Sequence, residues 1–247
     1  MTVLTAAFLL LAGVLAGVIG TAGGITSLVA YPALLAVGVP PFAANVTNSV
    51  ALLGSGASSA LRARRDLVGH GATLRRWAPV TVLVSAAGAV LLLVTPTHVF
   101  DRVVPYLVAL GSVLLLVQPW IDRRRASARL RPVAATASVS AVSLYNGYFG
   151  AGAGVLMIAV MLLDGEPVLH RANALKNVLL VAADVVPAVL FAVSGAVVWA
   201  FVWPLGLGAV VGGLIGPSVA RRVPQTPLRI GIAVCGFVLA GYLLVAA

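Results

Sequence analysis

The stretch that decides the fold runs from Gly17 to Asn48 and reads GVIGTAGGITSLVAYPALLAVGVPPFAANVTN. It contains no charged residue, and the first one in the chain is Arg62. Its opening residues, GVIGTAGG, hold Gly17, Gly20, Gly23 and Gly24. Glycine at this density weakens a helix. The segment therefore predicts an apolar helix over Val3 to Ile19, a break at the cluster, and a shorter helix over Ile25 to Val37. At 1.5 Å per residue the second piece reaches only about 20 Å, less than a bilayer core.

The rest of the chain is of the same kind. Of 247 residues, 61% are hydrophobic and 9% charged, against roughly 25% charged in a soluble domain. Uncharged runs from Trp77 to Phe100, Val103 to Ile121, Val133 to Leu163, Val185 to Ala220 and Ile230 to Ala247 match the length needed to span hydrocarbon as helices. The runs are continuous rather than alternating, which favours an all-α polytopic membrane protein over a barrel. The amino terminus has no Lys or Arg before its apolar stretch and no clear cleavage site, so it reads as a retained segment. The single cysteine, Cys235, has no partner for an intramolecular disulfide and reads as a small core side chain.

The net charge of +10 resides mainly in arginines between apolar runs, which points to membrane loops rather than nucleic acid. Arg62, Arg64, Arg65, Arg75 and Arg76 occupy one loop, and Arg123, Arg124, Arg125, Arg129 and Arg131 another. The positive-inside rule places both in the cytoplasm. Phe42 to Leu61, Val103 to Trp120 and Val197 to Val219 then run inward, and Trp77 to Val94, Ala172 to Val193 and Ile230 to Ala246 run outward, with both termini outside. Val133 to Tyr148 and Val155 to Leu163 pair with the first two segments as broken or re-entrant helices.

The opening pattern returns. Gly147, Gly150, Gly152 and Gly154 form GYFGAGAG, 130 residues after GVIGTAGG. At an offset of 129, Ala43, Thr47 and Asn48 of FAANVTN fall opposite Ala172, Lys176 and Asn177 of RANALKN. Corresponding helices run in opposite directions in the topology above. This divides one integral membrane domain into two inverted repeats, 1–121 and 132–247, joined by a basic linker, 122–131, the architecture of many alternating-access transporters.

Breaks at Gly20, Gly23 and Gly24, and at Gly150, Gly152 and Gly154, expose backbone N–H groups that suit a desolvated anion. Gly13, Gly88 and Gly111 read as close helix contacts instead. Thr47, Asn48, Asn45, Asn173, Lys176 and Asn177 lie inside crossing segments, where polar groups need partners. Lys176 either snorkels or faces the centre and selects negative charge. Asp184 lies mid-span on nearly the same helical face as Asn177 and serves either proton coupling or a structural pair with Lys176. Pro32, Pro187 and Pro204 shape or end helices. His70, His98 and His170 form no close-spaced metal pair, and no catalytic motif stands out, so neither an enzyme nor a metal or cofactor is expected.

These motifs together, Gly17–Asn48, the basic loop, GYFGAGAGVLMIAVMLLDG and RANALKN, resemble the sulfite exporter TauE/SafE family over essentially the whole chain. The resemblance implies a bacterial inner-membrane protein of about eight helices that moves sulfite or an organosulfur anion outward. It also implies that Thr47, Asn48, Lys176, Asn177 and the two breaks line a central site. The second repeat has no counterpart of Pro32, with Leu162 nearby instead, which departs from strict symmetry. An anion channel and a non-transporting scaffold are the competing readings.

Overall fold

The computed structural model describes residues 2–62, 64–123, 130–220 and 225–246. Ten α-helices and no strand occur among them: α1 Val3–Gly23, α2 Ser27–Ala36, α3 Pro41–Arg62, α4 Gly71–Val94, α5 Thr97–Arg123, α6 Pro132–Tyr148, α7 Ala153–Leu163, α8 Leu169–Val193, α9 Trp199–Ala220 and α10 Gln225–Ala246. A short 3-10 turn, Arg64–Leu67, joins α3 to α4. Five helices, α1, α4, α5, α8 and α9, are long and apolar enough to cross a membrane. α5 runs to Arg123, two residues into the expected linker, of which 124–129 lie outside the described residues.

Polarity is distributed as lipid requires. Leu83 and Val238 are 71% and 67% exposed while Lys176 is 3% exposed. α3 is as long as the spanning helices but too polar to count among them. Its Asn45, Thr47, Asn48, Ser55, Ser58 and Ser59 are all buried, because α3 packs against α8, α9, α2 and α5.

Glycine sets the closest helix pairs. A Cβ on Gly13 would lie 2.2 Å from Leu205 O, and one on Gly17 2.3 Å from Ala209 O. The contact advances four residues on both helices, so α1 and α9 run parallel with their backbones touching. Gly88 meets Leu144 O and Gly147 meets Ser85 O in the same way, pairing α4 with α6. Gly111 packs on Ala151, so all three glycines expected at close contacts make them. The pairings α1 with α9, α3 with α9, and α2 with α10 recur as α6 with α4, α8 with α4, and α7 with α5, while α3 meets α8 and α5 meets α10.

The two breaks form as the glycine clusters predict, with sharper limits. Gly20 and Gly23 remain in the last turn of α1, and the chain leaves the helix at Gly24, whose φ of 71° is left-handed and whose N–H donates to Gly20 O at 2.8 Å. In the second half Gly150 and Gly152 take φ of 78° and 82°, a region closed to most side chains, and Gly154 already belongs to α7. Leu130 N–H donates to Leu163 O at 2.9 Å, so α7 returns beside the start of α6 and the pair is a hairpin. Pro32, Pro187 and Pro204 sit within α2, α8 and α9 without ending them.

Polar contacts tie the start of α4 to the α7–α8 connection. Trp77 Nε1 donates to Asp164 Oδ2 at 2.8 Å, and His70 Nε2 lies 2.5 Å from Glu166 Oε2. Cys235 corrects the sequence reading: it is exposed on α10 rather than in the core. A thiol is a weakly polar group that an apolar surround accepts.

Candidate functional site

Where the hairpin of α6 and α7 meets the turn between α1 and α2, backbone touches backbone. A Cβ on Gly24 would lie 2.7 Å from Gly154 Cα, and one on Gly154 2.5 Å from Gly24 Cα. Beside this contact is a cavity of about 90 Å³, well above the ~10–15 Å³ that one water requires. Gly24, Thr26 and Ser27 bring the first turn of α2 to its wall, and Gly150 and Gly154 bring that of α7. Both turns belong to helix amino termini, where partial positive charge favours anions.

α8 contributes the charged groups. Lys176, Asn177 and Asp184 all line the cavity. Lys176 is buried, and among the described residues it has no hydrogen bond or ion pair. At 3% exposed, Lys176 lines the cavity and does not reach the outer surface of the protein. The expected structural pair with Asp184 is not formed either: eight residues of helix separate the two by about 12 Å, and Asp184 Oδ1 instead accepts from Asn146 Nδ2 at 2.6 Å.

The structure divides the predicted residues. Gly20, Gly24, Gly150, Gly154, Lys176 and Asn177 are brought together at the cavity. Thr47, Asn48 and Gly152 are not on its wall. Thr47 Oγ1 accepts from Val198 N–H at 3.0 Å, the residue before α9 starts, so its hydroxyl is spent on a helix cap. Asn48 Nδ2 donates to Ser27 Oγ at 3.1 Å and stands one layer behind the wall. Gly152 packs against Gly111 and Leu114 as the left-handed N-cap of α7. Gly23 is placed only as the last residue of α1.

Asn45 clamps the other break, its Nδ2 donating to Tyr148 O at 3.0 Å. Sequence reasoning missed Asn146, Ser55 and Ser59, which also line the cavity. The signal existed in part: Ser55 falls opposite Asp184 at the same offset of 129 that relates Thr47 to Lys176.

Residues 5–243 match the family described as sulfite exporter TauE/SafE. The chain belongs to that family. It is 33% identical over 221 residues to "Probable membrane transporter protein ORF9" of Sinorhizobium sp, covering 87% of this chain and 82% of the relative. It is 28% identical over 234 residues to "Probable membrane transporter protein YfcA" of Escherichia coli strain K12, with 93% and 86% covered. A Haemophilus influenzae "Probable membrane transporter protein" is 26% identical over 238 residues, with 94% and 92% covered. No solved structure gives a significant match. Membership in a membrane transporter family and five spanning-length apolar helices make the TauE/SafE chain a multi-pass membrane protein.

Proposed function

We propose that the protein is a secondary transporter that carries a small anion, sulfite or an organosulfonate, out across the bacterial inner membrane by alternating access. The observation that carries this reading is Lys176, a buried ammonium without a partner among the described residues, on the wall of a cavity flanked by two helix amino termini. A buried cation left unpaired is costly, and an anion entering the cavity completes it. Sulfur oxyanions offer several acceptor oxygens to the ammonium, to Asn177 and to the backbone N–H groups of both breaks.

The repeated packing of α1–α5 and α6–α10 supports an inverted repeat of 1–121 and 132–247, whose exchange of conformations would open the cavity to each side in turn. In this reading about eight helices cross, the arginine-rich connections face the cytoplasm, and both termini lie outside. Asp184, which accepts from Asn146 and forms no ion pair among the described residues, is assigned to proton coupling.

The test is flux of labelled sulfite by the purified chain in liposomes, with and without a pH gradient. Saturable, gradient-dependent flux that falls in Lys176→Ala, with Asp184→Asn losing its response to the gradient, is the expected result. Flux that does not saturate and ignores the gradient would make the protein a channel. No flux of sulfite or of organosulfonates in the wild type would leave a scaffold.

A further inference from the structure

At the far end of α3 from its first turn, a second cleft of about 610 Å³ is lined by Leu61, Arg62, Arg64, Arg65 and Leu214. The three arginines are exposed, and among the described residues none makes a hydrogen bond or ion pair. The acid nearest in sequence, Asp66, turns to His170 Nε2 at 3.9 Å and leaves the guanidiniums uncompensated. The two leucines are 70% and 46% exposed and close α3 and α9, helices that pack side by side.

We propose that this cleft binds the headgroup of an anionic phospholipid. The guanidinium forks match phosphate oxygens, and the exposed Leu61 and Leu214 offer apolar surface beside them for the first carbons of an acyl chain. A free phosphate would use the arginines and leave both leucines bare, so the combination selects a lipid. Basic pockets between helices are one form that headgroup recognition takes in membrane proteins. The site is separate from the central cavity and shares none of its lining residues, so the proposal does not depend on which substrate the protein carries.

Two pairs of arginines at this end provide an internal control. Arg75 Nε donates to its own helix at Gly71 O, 3.4 Å away, and Arg76 stacks 4.3 Å over the Trp77 ring. Both are occupied, whereas Arg64 and Arg65 have no partner among the described residues. The full chain in neutral detergent is titrated with dioleoylphosphatidylglycerol, dioleoylphosphatidylcholine or inorganic phosphate. Thermal melting and the number of lipids retained in native mass spectrometry are read together. Phosphatidylglycerol is expected to raise the melting temperature and to be retained by the wild type, while the other two are without effect. R64A/R65A should weaken phosphatidylglycerol binding about 30-fold, about fivefold per arginine, and R75A/R76A, which removes the same charge, should leave it unchanged. Equal weakening in both variants would reduce the cleft to a diffuse basic surface, and stabilisation by inorganic phosphate would make it a free-anion site. Equal retention of phosphatidylcholine by the wild type overturns the proposal without recourse to a variant.

Discussion

Lys176 and Thr47 occupy the same place in the two repeated motifs, and the sequence assigns them the same role. The structure separates them by reach. A hydroxyl one bond from Cβ stays with the backbone and caps α9 at Val198, whereas a four-carbon stem carries an ammonium to the cavity wall. Motif alignment shows where two residues stand but not how far their side chains extend, so a threonine entered the expected site and Ser55, Ser59 and Asn146 did not. Thr47→Ala should cost about 1 kcal/mol of stability, as loss of a helix cap does, and leave the KM for the carried anion unchanged. Thermal melting in detergent beside liposome uptake separates the two effects. The glycine pair at the centre behaves differently. Gly24→Ala adds a Cβ 2.7 Å from Gly154 Cα at a residue with φ of 71°, so overpacking and backbone strain act together, each costing about 1–3 kcal/mol. Expression of folded protein, followed by size-exclusion chromatography, should fall sharply.

Helices were the most legible level, because length and apolarity dictate them and glycine density dictates where they stop. α4 and α5 begin six residues earlier than their apolar cores, at Gly71 and Thr97, since polar helical turns continue beyond the hydrocarbon. α3 needed more than hydropathy to be placed: its serines and asparagines suit only an interior surrounded by other helices. The join between Trp77 and Asp164 could not be read from sequence at all, being a contact over 87 positions. Trp77 is nearly inaccessible, so Trp77→Phe keeps most of the apolar packing and deletes one hydrogen bond to a carboxylate, worth about 1.5–3 kcal/mol. The variant should melt at lower temperature, and Asp164→Asn, which keeps an acceptor oxygen, should melt between it and the wild type.

Across the whole molecule, among the described residues, apolar side chains cover much of the outside as well as filling the core, while the amides and hydroxyls of α3 and the Lys176 ammonium are buried, an arrangement that composition alone made necessary in outline. Composition could not reveal that both breaks would touch, since that depends on α1 lying along α9 and α6 along α4. The contact of Gly24 with Gly154 has a mechanical meaning. Neither glycine presents a side chain at this joint, so no rotamer would have to change for the α6–α7 hairpin to roll over the turn between α1 and α2. α7 extends about 16 Å from there, and a roll of about 15° would sweep its far end through about 4 Å. Under the proposed alternating access, such a joint would serve as a fulcrum with a long arm, turning an ångström-scale adjustment beside the cavity into a displacement several times larger at the end of α7.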